Sequence, residues 1–200
     1  MMSRLALASL LALLSSAVMA APQLHKRPFV PAPSADAQPD PSLTDDDIRG
    51  QVSAFLGSID TSISLAQWKA LGIRAETPLL EVLNGGSLPT RRAKAIDGLS
   101  AIGTSRVELF KTIANNEQEP FVVRYAAIRG IGYLLPENEM IAQLSPMMKN
   151  AKDSRVRSVA ALVMVKHAPA TCSSIRTQVK TANEEMRLRF GPAMDACFGK

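Results

Sequence analysis

Few side chains in this sequence have covalent or metal chemistry to offer. Its only two cysteines, Cys172 and Cys197, lie near the C-terminus, and one of its two histidines, His167, stands just ahead of Cys172. A thiolate beside an imidazole base is what a cysteine nucleophile needs. Thiolates with imidazole are also zinc ligands, but a zinc site takes about four ligands, and these residues lack the helical i, i+4 spacing that would gather them. An even cysteine count in an oxidising compartment reads instead as a disulfide. The residues around Cys172 and Cys197 form two successive amphipathic patterns with a turn at Thr181 to Glu184. In an antiparallel hairpin that turn sets the two cysteines side by side. A Cys172–Cys197 bond there stabilises the fold by on the order of 3 kcal/mol.

Other catalytic patterns are missing. There is no GxSxG turn for a serine nucleophile and no glycine-lysine loop for a phosphate; "LGIRAE" and "RGIGYL" have too few glycines. Asp45-Asp46-Asp47 lacks the alternating spacing, glycine and closing glutamate of a calcium loop. The acid pairs Glu117/Glu119, Glu137/Glu139 and Glu184/Glu185 fall in predicted turns and helix starts, where acids cap and solvate. The expectation is a protein with no catalytic, cofactor or metal residues. What remains is charge. Residues 44–150 carry eleven Lys and Arg against twelve acids, residues 151–200 nine against four. Lys94, Arg129, Arg155 and Arg189 are predicted to project from one set of helices and, with Lys152, to make a basic face.

The helices that position these residues repeat. "TRRAKAIDGLSAIG", "FVVRYAAIRGIGYL", "DSRVRSVAALVMVK" and "NEEMRLRFGPAMDA" place Arg92, Arg124, Arg157 and Arg187 at spacings of 32, 33 and 30 residues. Periods of this size mark stacked repeats. One residue before each arginine stand Arg91, Val123, Val156 and Met186; three after, Ala95, Ala127, Ala160 and Phe190; seven after, Leu99, Ile131, Met164 and Met194. Those offsets share one helical face. Ten after stand Ile102, Leu134, His167 and Cys197, which puts His167 in a core-facing slot. Between these stretches lie "RAETPLLEVLNGG", "TSRVELFKTIANN", "ENEMIAQLSPMMKN" and "TCSSIRTQVKTAN", each with its own apolar stripe. The unit is helix, turn, helix. Gly85-Gly86, Asn115-Asn116 and Asn150 fall at predicted outer-helix ends, Pro89, Pro120 and Pro136 near helix starts, and Asp153 at an N-cap.

This pattern resembles the HEAT-like (armadillo-type) helical repeat family, whose second helix reads as a "VR…AA…AL" run after an aspartate. Val123-Arg124…Ala127 and Asp153…Val156-Arg157…Ala160-Ala161-Leu162 match it best, and the resemblance spans about residues 73 to 197. It departs at Arg91, which replaces an apolar residue, and at Gly191-Pro192, which should kink or end the last helix. Only the Arg157 repeat has the aspartate at the usual offset. The resemblance implies an all-α fold, a short right-handed α-solenoid of about four repeats. In it the repeated arginines are structural, bridging neighbouring repeats through carboxylates or helix-end carbonyls. The small residues Ala126, Ala127, Gly130 and Gly132 would let adjacent helices approach closely.

The ends differ in composition. Residues 1–20, "MMSRLALASLLALLSSAVMA", have the charge, short apolar run and small-residue close of a secretory signal cut after Ala20. Residues 21–43 contain six prolines and read as a flexible linker. Residues 44–72 read as capping helices, with Thr44 and three aspartates at a helix start and Trp68 as a core anchor, and residues 73–200 as the repeat domain. The expected location is the periplasm or the cell exterior, with no transmembrane segment in the mature chain. The expected function is a non-catalytic scaffold or adaptor whose concave face binds another protein, one with an acidic surface. Nucleic acid is a weaker candidate, because export removes the chain from most of it. The alternative is a regulatory or enzymic accessory module, lyase-like or an inhibitor, acting on an envelope partner.

Overall fold

Apolar stripes at helical spacing, punctuated by Gly, Asn and Pro, leave the chain little choice but short helices joined by tight turns. A computed structural model describes residues 38–58 and 63–199, and all regular structure among them is helical. The signal peptide expected at 1–20 and linker residues 21–37 lie outside the described residues. The helices are α1 (Asp45–Gly57), α2 (Leu65–Leu71), α3 (Glu76–Asn84), α4 (Pro89–Ala101), α5 (Val107–Asn115) and α6 (Phe121–Leu134). They continue as α7 (Glu137–Asn150), α8 (Ser154–His167), α9 (Cys172–Lys180), α10 (Glu184–Arg189) and α11 (Gly191–Phe198). None of them is long and apolar enough to cross a membrane.

Helix boundaries follow local chemistry. Thr44 and Asp47 form a reciprocal capping box at α1: the Asp47 N–H donates to Thr44 Oγ1 at 3.1 Å, and the Thr44 N–H donates to Asp47 Oδ2 at 2.9 Å. Ser64 and Gln67 do the same at α2. Asp153 caps α8 by accepting from the Arg155 N–H, and Asn183 caps α10 by accepting from the Met186 N–H. Caps of this kind contribute about 1 kcal/mol each. Pro89 takes the first position of α4, where its missing N–H costs nothing. The Gly191-Pro192 break falls where expected: α10 stops at Arg189, and α11 restarts with Pro192 in its first turn.

Packing pairs α3 with α4, α5 with α6 and α7 with α8, while α4, α6, α8 and α11 contact one another in succession. The interior is the predicted stripe. Val123, Val156, Ala95, Ala127, Ala160, Phe190, Leu99 and Ile131 are fully buried, facing Leu79, Phe110, Met140, Leu144 and Ile175 from the other helices. Trp68 is buried and meets Phe55 edge-on at 5.1 Å. Small residues set the helix spacing. A Cβ on Gly130 would lie 2.6 Å from Ser100 Oγ and 2.7 Å from the Phe110 ring, so α4 and α5 approach α6 only because that side chain is absent.

Two expectations change. His167 does not enter the core: it is exposed, covers Gly132 and rests edge-on against Tyr133 at 5.3 Å. Its slot is the last residue of α8, about a turn beyond Met164, the last deeply buried member of the stripe. The linker also ends earlier than composition suggested. The Asp40 N–H donates to the Ala70 carbonyl at 3.1 Å, and Arg74 Nη1 donates to the Leu43 carbonyl at 2.7 Å, tying residues 40–43 to the helices.

Candidate partner-binding face

The four repeat arginines act at one kind of place. Arg92 Nε donates to the Leu83 carbonyl at 2.9 Å, Arg124 Nε to Ala114 at 3.1 Å, Arg157 Nη1 to Ala151 at 2.5 Å, and Arg187 Nη2 to Lys180 at 3.3 Å. Each acceptor belongs to the last residues of the preceding helix (α3, α5, α7 or α9) or to the residue just after it. Those carbonyls have no intrahelical partner, and a cation there also faces the negative end of the helix dipole. Part of each guanidinium is thus taken up by the fold itself.

The predicted basic face is present as residues but not as free charge. Lys94 Nζ donates to the Ser58 carbonyl. Arg155 is held by Asp153 at 2.8 Å and lies over the Phe121 ring at 4.4 Å from its centre. Arg189 pairs with Glu185, and Lys152 with Glu117, each at 2.9 Å. Arg129 Nη2 donates to both oxygens of Asp97, at 2.6 and 2.7 Å. All of these cations but Lys94 are paired with an acid, so the positive excess counted in the sequence does not gather into one patch through these residues.

What stands out is aromatic. Tyr125, Arg129 and Tyr133 fall at i, i+4 and i+8 on α6 and so share one face. The Arg129 guanidinium sits 4.7 Å from the centre of the Tyr125 ring. Tyr133 is 61 % exposed and makes its edge contact with His167 of α8. A cleft of ≈ 140 Å³ opens on one side of this row, lined by Leu65, Trp68, Asp97, Arg129 and Tyr133 among others. A second, of ≈ 170 Å³, opens on the other side against Leu162, Val163, Lys166 and His167. Arg129 Nε is buried with no hydrogen-bond partner, while its Nη2 is spent on Asp97. Burial raises the Asp97 carboxyl above its ordinary value, an effect that Arg129 offsets only in part. Burial, and more weakly Lys166, lower the His167 imidazole below its ordinary value.

Chemically the face offers recognition. His167 has Tyr133 and Lys166 as neighbours; the cysteines are bonded to each other, with Cα atoms 5.6 Å apart. Among the described residues no three His, Cys, Asp or Glu side chains are grouped to hold a metal ion. Sequence reasoning found Arg129 but missed Asp97, Tyr125 and Tyr133. The available signal was register: Asp97 and Arg129 stand five residues after Arg92 and Arg124, so the packing of α4 against α6 brings them together. The chain matches no family model, no curated protein and no solved structure.

Proposed function

We propose that this chain is an exported, non-catalytic scaffold of the HEAT-like kind, a short solenoid that binds another protein through the exposed face of α4, α6 and α8. The observation that carries the reading is the Tyr125–Arg129–Tyr133 row between two shallow clefts. Tyrosine and arginine are the residues that dominate protein–protein contacts. Clefts of ≈ 140 and ≈ 170 Å³ fall short of the roughly 300–1,000 Å³ usual for small-molecule sites. Each suits a single protruding side chain, with Tyr133 as the ridge between them. The disulfide fits an oxidising compartment, in keeping with export. The arginine caps and small-residue joints support a repeat array, in which rigid neighbours hold such a face in one shape.

The test is site-specific crosslinking. A photoreactive residue at position 133 should trap a discrete partner, and the product should disappear when Arg129→Glu is added. The same probe at Thr112, on α5, should trap nothing. Equal labelling at both positions, or labelling indifferent to Arg129→Glu, would defeat the proposal.

A further inference from the structure

Arg124 differs from the other repeat arginines in what is left over. It is only 6 % exposed, yet its one hydrogen bond is from Nε to the Ala114 carbonyl; Nη1 and Nη2 make no hydrogen bond among the described residues. At the equivalent place one repeat earlier, Arg92 Nη1 and Nη2 donate to the two oxygens of Glu119 at 2.7 and 2.8 Å. Glu119 stands five residues before Arg124, and the residue five before Arg157 is Lys152. The carboxylate of one joint is thus replaced by an ammonium at the next.

Space replaces it as well. Arg124 lines a cleft of ≈ 310 Å³ with Asn115, Glu117, Gln143, Pro146 and Asn150. Pro146, which has no N–H to give its own helix α7, forms part of the wall. The acids nearby hydrogen-bond elsewhere: Glu117 to Lys152 at 2.9 Å, and Asp153 to the backbone N–H, Nε and Nη2 of Arg155, so Asp153 feels the charge of Arg124 without bonding to it. The two Nη edges of Arg124 are not sealed from water, so an incoming anion can reach them, and the planar fork fits a carboxylate in bidentate fashion.

We propose that the Arg124 cleft is a carboxylate-binding site, in which an incoming carboxylate takes the place at Arg124 that Glu119 occupies at Arg92. This site is independent of the Tyr133 face and does not rest on the reading given to it. The carboxylate has two sources, a free small organic acid or an acidic side chain of a bound polypeptide.

The experiment titrates the full mature chain with sodium acetate at constant ionic strength, chloride as the balancing anion, and follows arginine Nε–Hε resonances by NMR. The expected result is a saturable shift of the Arg124 signal, with half-saturation at about 1–10 mM, the range of weak single-site pairs. A second arm uses the blocked tripeptide acetyl-Ala-Glu-Ala-amide. Binding tenfold tighter than acetate assigns the site to polypeptide acids; equal binding assigns it to small carboxylates. Because Arg124→Met can disturb folding, the decisive variant is Lys152→Glu with Glu117→Gln, which supplies an internal carboxylate without a like-charged neighbour. It should abolish the acetate response and raise the melting temperature by about 4 °C. Acetate and chloride giving the same linear drift, or an acetate response surviving in the double variant, would overturn the assignment.

Discussion

Arg92 and Arg124 sit 32 residues apart, near the starts of α4 and α6, and reach the same kind of carbonyl, yet one joint is closed and the other open. At the first, Glu119 from the segment before α6 locks both Nη groups of Arg92, and both side chains are largely withdrawn from solvent, 20 % and 16 % exposed. At the second, the more deeply buried arginine keeps only its Nε contact and faces a cleft. The shared part, a cation on helix-end carbonyls, belongs to the fold. The part that differs is free to become a site, because the fold does not depend on it.

The contrast makes a counterintuitive prediction. Arg92→Met strands the Glu119 carboxylate in a largely buried place and should cost about 3–4 kcal/mol, lowering the melting temperature by roughly 6–14 °C. Arg124→Met removes the more buried arginine but orphans no carboxylate. It leaves the Ala114 carbonyl without its donor and should cost only about 1–2 kcal/mol. Thermal melts of the two variants side by side decide the matter. Equal losses would mean that Arg124 has a partner the geometry does not reveal.

The C-terminal helices α9–α11 form a third kind of joint, and it sharpens the comparison. Arg187 reaches Lys180 at 3.3 Å, α9 buries only Ile175, and α10 only Met186. No locked carboxylate holds these helices and each buries little of its own length, so the Cys172–Cys197 bond carries a larger share of their stability. Replacing both cysteines with serine should cost about 3 kcal/mol. The loss should appear first as hydrogen exchange in α9–α11 while α4–α8 stay protected. Uniform loss of protection would show that the terminal repeat unfolds with the rest.

Packing at the closed joint can be tested more gently. Gly130→Ala places a methyl group against Ser100 and Phe110 and should destabilise by about 2 kcal/mol, through displacement rather than lost contacts. Gly57→Ala, where an added Cβ meets nothing within 4 Å, is the matched control. A melting temperature unchanged in both variants would show that α4 and α6 have slack that the close approach denies.

These effects show which features a sequence carries openly. Helix ends were legible because caps and breakers act within four residues: Thr44, Pro89, Asp153 and Gly191-Pro192 each mark a real boundary. The core stripe was legible because period and burial are the same fact for a packed helix. Pairings between helices were harder. Asp97 with Arg129 and Arg92 with Glu119 each join residues about thirty apart, and they become visible only when repeat registers are overlaid. His167 misled because its offset from Arg157 gave its angular position but not its depth. At a helix's last residue the same angle points past the core. The open joint at Arg124 was written in the exchange of Glu119 for Lys152, but an absent partner leaves no motif to search for.

The smallest effect concerns pH and tests whether the closed joint is ionic. Arg92 holds the Glu119 carboxyl below its ordinary value of 4.5, chiefly through their hydrogen bonds. A group whose folded pKa is depressed contributes stability above its unfolded pKa and loses it as pH falls through the folded value. The stability gap between the native chain and Glu119→Gln should therefore be flat, at about 1–2 kcal/mol, from neutral pH down to about 4.5, and close below that. Arg124→Met should show a weaker narrowing relative to the native chain, since Arg124 hydrogen-bonds no carboxylate and acts only through its charge, as a minor influence, on Asp153. Denaturant titrations between pH 3 and 7 measure both gaps. A Glu119→Gln gap that persists at low pH would mean that shape and hydrogen bonding, not charge, close the first joint, and filling the second would then require more than an anion.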